Sequence, residues 1–202
     1  MIHLIGAGGH AKVVLDALLE SGTNLSGVTA RDDAAASDLL GLAVETPAVA
    51  PSLTGLSFHV AIGAAAVRER LFTGAAAARG APLTVVHPSA SVSRFASVAA
   101  GSFVAASAVI GPGAVVGQGV IVNHGAVVDH DSVVGDFSHI APNASLGGGV
   151  TVGARCLIGA GAVVLPGVAI SDDVTIGAGA VVTRDVAAHQ TWTGVPAAPK
   201  AS

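Results

Sequence analysis

The sequence predicts a small α/β domain over residues 1–84 followed by a parallel β-helix over residues 85–202. Three observations predict it. An aliphatic residue recurs at every sixth position from Val86 to Val182, residues 1–84 lack that period, and the glycine-rich segment Gly6-Ala7-Gly8-Gly9 joins an apolar run to a helical pattern near the N-terminus.

The repeat carries the β-helix. Steps of six from Val86 land on Val92, Val98, Val104, Ile110, Val116, Val122, Val128, Val134, Ile140, Leu146, Val152, Ile158, Val164, Ile170, Ile176 and Val182, all Val, Ile or Leu. A period of six is the mark of short strands joined by tight corners, with the aliphatic side chain turned inward. Four residues further on runs a column of small residues, beginning Ala90, Ala96, Ser102, Ala108 and Ala114, which fits where the walls converge. Cys156 falls in this column and reads as core filler rather than as a reactive thiol. Gly follows the aliphatic at Gly111, Gly117, Gly135, Gly147, Gly153, Gly159 and Gly177, which assigns those glycines to the corner geometry. Three hexads per triangular coil give between five and six coils, a prism about 25 Å tall at the usual strand spacing.

The N-terminal segment alternates between strand and helix patterns. Ile2–Ile5 is a short apolar run, and Lys12–Glu20 puts Val14, Leu15, Leu18 and Leu19 on one helix side. A second strand is predicted over Leu25–Thr29, a third over Phe58–Ile62, and a helix from Ala64 to about Ala78. Such alternation predicts a parallel sheet, Rossmann-like in outline, with the glycine turn at its carboxyl edge. Gly6-x-Gly8-x-x-Ala11 varies the dinucleotide fingerprint: its glycines let a phosphate approach a helix N-terminus. The domain is too short for a complete dinucleotide fold. Asp32 and Asp33 lie where an acidic side chain would hold a ribose hydroxyl, and a solvated acidic loop is the alternative.

Composition narrows the function classes. Charged residues make up 11% of the chain and the net charge is −4, with no Lys/Arg run, so no nucleic-acid footprint is predicted. No apolar stretch reaches membrane-spanning length. The N-terminus has no basic segment and no long apolar run, which predicts no signal peptide. A single Cys suits a reducing compartment, and a cytoplasmic enzyme is expected.

Polar residues interrupt the prism mainly around Asn123-His124 and Asp129-His130-Asp131, with Asp136 and His139 just after. A His flanked by carboxylates suits a general base, since a carboxylate orients the ring and supports the imidazolium. His130 is therefore the candidate base. His139 lies nine residues later, half a coil away, so the two rings point in different directions from one chain. If they share a site, the second comes from another subunit. Three histidines could also hold zinc, but their spacing is unlike that of β-helical zinc enzymes, and no metal is expected. His124 reads equally as a surface corner, and His3, His59 and His189 belong to no constellation.

Gly6–Val14, Ala61-Ile62-Gly63, His87-Pro88-Ser89-Ala90, Asn123, Val128-Asp129-His130-Asp131, Gly135–Pro142 and Gly194-Val195-Pro196-Ala197 together resemble one family. It is the sugar O-/N-acetyltransferases of bacterial glycan pathways, built on a left-handed β-helix of hexapeptide repeats. The resemblance spans essentially the whole chain in order. It implies that His130 is the base and Asp131 its modulating acid. It further implies Asn123, His139 and the Gly148 N–H beside the acetyl thioester, and Gly8, Gly9, His10, Asp32, Asp33 and Gly63 around a nucleotide sugar. Acetyl-CoA as co-substrate and a homotrimer with acetyl-CoA lying between adjacent β-helices follow from the same resemblance. The chain departs from the family at Ala64, where many relatives carry Asn, and at Ala198, where Lys is common, leaving Lys200 as a candidate for the CoA phosphates.

The expected activity is N-acetylation of a UDP- or GDP-linked amino sugar. The alternatives are O-acetylation of a sialic acid or other sugar hydroxyl and, in a different class, a non-catalytic trimeric scaffold or nucleotide-binding module.

Overall fold

A computed structural model describes residues 1–33 and 38–200. The N-terminal domain is a mostly parallel sheet, with one antiparallel edge pair, flanked by two helices. Strand β1 (Ile2–Ile5) leads into helix α1 (Gly9–Glu20), and strand β2 (Val28–Arg31) follows. Strands β3 (Asp38–Leu39) and β4 (Leu42–Glu45) form a hairpin, then come β5 (Ser57–Val60), helix α2 (Ala65–Ala77) and β6 (Ala81–Pro82). The order across the sheet is β3-β4-β2-β1-β5-β6, so the chain reverses direction at β1 and opens a crevice beyond its carboxyl end.

Several boundaries differ from the sequence expectation. Leu25–Gly27 is a 3-10 turn and β2 begins only at Val28, because pairing with Ile2–Ile5 recruits Val28–Arg31. Leu19 is 38% exposed while Ala11, Val14, Leu15, Ala17 and Leu18 are buried, so the buried stripe of α1 is shifted from the one drawn through Val14 and Leu19. β4 and β6 carry no strong alternation of their own, and only pairing reveals them.

From Val85 the chain winds into a left-handed solenoid of three parallel sheets. The first face stacks Val85–Val86, Phe103–Val104, Ile121–Val122, His139–Ile140, Leu157–Ile158 and Thr175–Ile176. The second stacks strands from Ser91–Val92 to Val181–Val182, and the third from Ser97–Val98 to Ala169–Ile170. Partners lie eighteen residues apart, as in Phe103 with Ile121 and Ile121 with His139. The inward aliphatics from Val104 to Val182 are all buried, whereas Val86 and Val92, in the first coil, are 38% and 37% exposed. The small column does more than fill space. Ser102, Ser132 and Ser138 are fully buried, and their hydroxyls donate to the Gly117, Gly147 and Gly153 carbonyls. Cys156 is 1% exposed and burial pushes its thiol pKa up, as a filler requires.

The corner glycines divide into two kinds. Those directly after the aliphatic keep ordinary backbone angles; they are glycine because the next coil passes too close, and a Cβ at Gly135 would lie 2.6 Å from the Gly153 carbonyl carbon. The left-handed corner conformation falls two residues further on, at Gly113 (φ 75), Gly125 (φ 63) and Gly149 (φ 68). Ser107, Asp131, Phe137, Asn143, Arg155 and Asp173 also occupy this column despite their side chains. That conformation is costly for non-glycine residues, which singles these six out.

The two domains share cores. Phe103, Ala105 and Ile121 on the first face are buried with Leu4, Val14, Leu15 and Leu18. On the other side Phe137 packs edge-on against Phe72 of α2, which does the same to Phe58. The N-terminal domain thus covers the upper coils of the first face and stops just above His139.

Candidate active site

Two polar clusters occupy different sides of the prism. The first sits on the vertex between the second and third faces, where the corners of successive coils stack Arg94, Pro112, His130, Gly148 and Pro166. Asp131 takes the left-handed conformation, φ 59, and that turn brings its Oδ2 to 2.8 Å from His130 Nδ1. Asp129 acts otherwise: its Oδ1 accepts the His130 backbone N–H at 2.7 Å and holds the corner. The His130 side chain is 58% exposed and lies over Gly148, where any Cβ would collide with the ring. The N–H groups on either side of Gly148 donate to Val164 and His130 carbonyls, but that of Gly148 itself has no acceptor among the described residues.

The second cluster lies in the angle between the first face and the N-terminal domain. His139 starts a strand of the first face, and its Nε2 is 3.1 Å from Asn123 Nδ2 on the coil above. His10, from the first turn of α1, packs 5.4 Å edge-on to Phe103 and 6.4 Å from the His139 ring. Its Nε2 is buried without a partner among the described residues. Gly6 closes the turn, with φ 116 and its N–H bound to the Arg31 carbonyl, in a space where a Cβ would strike Ala61. Gly8, Gly9 and Gly63 face open space. Asp32 Oδ2 accepts the Ala7 N–H at 2.7 Å, and Asp33 Oδ1 accepts the Ala48 N–H at 2.8 Å, so both carboxylates brace the loops that rim the crevice.

The structure therefore gathers Asn123, His139, His10 and the glycine turn together, and gathers His130, Asp131 and Gly148 together. It keeps the two groups on separate sides of one chain.

Family profiles match three stretches: the PglD N-terminal domain over residues 1–75, the bacterial transferase hexapeptide (six repeats) over 131–165, and the hexapeptide repeat of succinyl-transferase over 149–184. No curated protein gives a match. Among solved structures, the acetyltransferase domain of PglB from Neisseria gonorrhoeae FA1090 is 35% identical, covers 98% of both chains and superimposes with a TM-score of 0.93. The same domain in complex with acetyl coenzyme A gives 0.92. PerB from Caulobacter crescentus, in complex with CoA and GDP-perosamine, is 38% identical over 99% of this chain and 97% of that one, with a TM-score of 0.91. This chain belongs to the sugar acetyltransferases of the hexapeptide-repeat superfamily.

The electrostatics of this acetyltransferase separate the two clusters further. The hydrogen bond to Asp131, and then the charge of Asp129, raise the His130 pKa above its ordinary value. Burial, with the Arg68 charge behind it, lowers His139 to about 4, and burial with neighbouring His59 and His139 lowers His10 to about 3. His59, which carried no role in the sequence, is buried at the domain junction with Nδ1 2.9 Å from the Leu83 carbonyl, and is lowered to about 4 by burial.

Arg68 escaped the sequence reading. It is 1% exposed and pairs with no carboxylate among the described residues. Its guanidinium donates to the carbonyls of Ile62 and Gly63 in the crevice loop, at 2.9 and 2.7 Å, and to Gly119 at 2.7 Å and Phe137 in the solenoid. One side chain thus fastens the loop to two coils. An Arg within Ala64-Ala65-Ala66-Val67-Arg68 reads as a solvated helix face; only the docking of the domains buries it. The vertex between the third and first faces holds a separate groove of about 700 Å³, but there Arg155 forks onto Asp173 at 2.8 and 2.9 Å and the charges close on themselves.

Proposed function

We propose that this enzyme moves the acetyl group of acetyl-CoA onto the amine of a nucleotide-linked amino sugar, in a site made between two copies of the chain. The observation that carries the reading is the His130–Asp131 pair lying over the unpaired Gly148 N–H. One group takes a proton, and beside it stands a donor for a developing oxyanion. The PerB likeness, a structure holding CoA and GDP-perosamine, supports an amino sugar on a nucleoside diphosphate as acceptor, and the PglB domain with acetyl coenzyme A supports the donor.

In this mechanism His130 Nε2 accepts the proton of the sugar amine as the nitrogen attacks the thioester carbonyl. Asp131 holds Nδ1 and stabilises the imidazolium. The Gly148 N–H donates to the oxyanion; the C–N bond forms, the C–S bond breaks, and His130 returns the proton to the departing CoA sulfur. His139 stays neutral at working pH and, with Asn123, offers hydrogen bonds rather than charge to the acetyl end. The glycine turn and the α1 N-terminus receive the diphosphate. Residues 1–84 form the sugar-nucleotide domain and 85–202 the acyl-transfer domain.

Assembly follows from the separation of the clusters. A vertex bearing His130 reaches a His139–Asn123 groove only on another molecule, and a closed ring of three parallel prisms satisfies every vertex and every groove. No described helix is long and apolar enough to cross a membrane. The test is thiol release from acetyl-CoA with a panel of UDP- and GDP-amino sugars, alongside native mass. Turnover by a trimer is expected. Absence of turnover with every amino acceptor, or full activity in His130→Ala, overturns the reading.

A further inference from the structure

The upper end of the vertex that carries His130 bears two large side chains. Arg94 sits at the His130 position two coils above, and Phe95 at the Asp131 position. The other coils place Pro112, Gly148 and Pro166 in the first column and Gly113, Gly149 and Gly167 in the second, and Arg184 at the lower end turns onto Trp192, 5.2 Å from its ring centroid, so the upper part of the vertex carries its bulk at His130-Asp131 and Arg94-Phe95. Phe95 is 75% exposed, the most of any large hydrophobic described, and Arg94 is exposed as well. Their backbone is firmly seated: the Phe95 N–H donates to Ser93 Oγ at 3.2 Å and its carbonyl accepts the Gly113 N–H at 3.2 Å. A rigid corner therefore holds out an apolar ring and a cation that no described residue covers.

The coil spacing says what they meet. Arg94 lies thirty-six residues before His130, and Phe103 lies thirty-six residues before His139; each interval is two coils, about 10 Å along the prism. In a ring of parallel prisms with His130 level with a neighbour's His139, the Arg94-Phe95 corner is level with that neighbour's Phe103. Phe103 is the residue on which His10 packs, next to the α1 N-terminus and the open Gly8-Gly9 turn. An acceptor with its amine at His130 has its sugar ring between the two levels and its diphosphate near the upper one.

Resting on the trimeric reading above, we propose that Arg94 and Phe95 of one subunit complete the nucleotide pocket of the next, Arg94 pairing with the diphosphate and Phe95 stacking on the nucleoside. Guanidinium–phosphate pairing and base–aromatic stacking are the interactions these groups make best. The vertex then works at both ends, with base chemistry below and acceptor recognition above.

Steady-state kinetics and subunit mixing test this. In Phe95→Ala the KM for the nucleotide sugar is expected to rise about tenfold and in Phe95→Leu somewhat less, with the KM for acetyl-CoA unmoved. Arg94→Ala is expected to raise the same KM about fivefold, and less at high salt. For subunit mixing, Phe95→Ala subunits are co-assembled with Gly9→Glu subunits, in which a carboxylate repels the diphosphate. A contribution across the interface restores a population of sites with the wild-type KM, since an intact Phe95 vertex then faces an intact glycine turn. No restoration, or an unchanged nucleotide-sugar KM in an active Phe95→Ala trimer, overturns this proposal and leaves the general function standing. A monomeric active enzyme overturns both.

Discussion

His130 and His139 are the same residue on the same solenoid, nine positions apart, and their surroundings make them opposites. His130 stands on an open vertex with a carboxylate on its ring, and its pKa is raised. His139 lies beneath the N-terminal domain against Asn123, within the field of a buried arginine, and its pKa is lowered to about 4. The difference teaches how a repeat with so little chemistry in it supports catalysis. One imidazole is prepared to gain a proton and the other to refuse it, as divergent environments do for paired groups in active sites.

The sharpest way to break the comparison is to remove each ring in turn. His130→Ala is expected to lower kcat by about a thousandfold with the fold and native mass unchanged, the usual size of a lost general base. His139→Ala is expected to act chiefly on the acetyl-CoA side, with a loss nearer tenfold; equal losses from both would mean that the division of roles is wrong. Arg68→Met strikes the support of the buried cluster. It strands carbonyls of the crevice loop and of two coils, and an unfolding free energy lower by roughly 3 kcal/mol is expected from chemical denaturation, with a raised KM for the nucleotide sugar. Unchanged stability would show that the clamp is not needed to dock the domains.

Asp131→Asn sharpens the other side. The raised His130 pKa means that the neutral, basic form prevails only above that pKa, so activity climbs through an acidic limb lying above the ordinary 6.5. Removing the carboxylate lets the pKa fall, and the limb is expected to move to lower pH while the plateau kcat drops about tenfold. An unmoved limb would detach Asp131 from the base.

The smallest effect concerns stability. His10, His59 and His139 have folded pKa values of about 3, 4 and 4, below their unfolded value of 6.5. The unfolded chain therefore binds more protons between those limits. Their contribution is full above about pH 6.5 and is lost progressively as the pH falls towards 4. A clearly lower melting temperature at pH 5 than at pH 7 is expected, and His59→Asn should flatten the slope.

Much of this was legible in the residues, and the physical reason is periodicity. Val86 to Val182 forces one inward direction at each step, so the coils, the buried column with Cys156 and the opposed headings of His130 and His139 could be read before any coordinates. The glycines after the aliphatics have a different reason from the corner geometry that the sequence suggests. Gly135 and its equivalents avoid the corner of the next coil, while the true left-handed corner comes at positions such as Asp131, where a carboxylate bound to His130 conceals the turn. Arg68 was illegible because its burial depends on contacts up to seventy residues away in the chain. The second strand starts later than its sequence pattern predicts for a related reason: β2 is fixed by its pairing to β1 rather than by its own pattern.

The stacked coil also acts as a ruler. Each eighteen residues add one fixed increment, about 5 Å, between the shelf on which the N-terminal domain rests and the height of His130. A single-residue insertion between Phe103 and His130 would turn every later side chain away from its face, whereas a gain or loss of eighteen would keep every heading and change only the reach. The span between nucleotide and reacting nitrogen is thus counted in whole rungs, and an enzyme of this build can be retuned to a longer or shorter acceptor only one rung at a time.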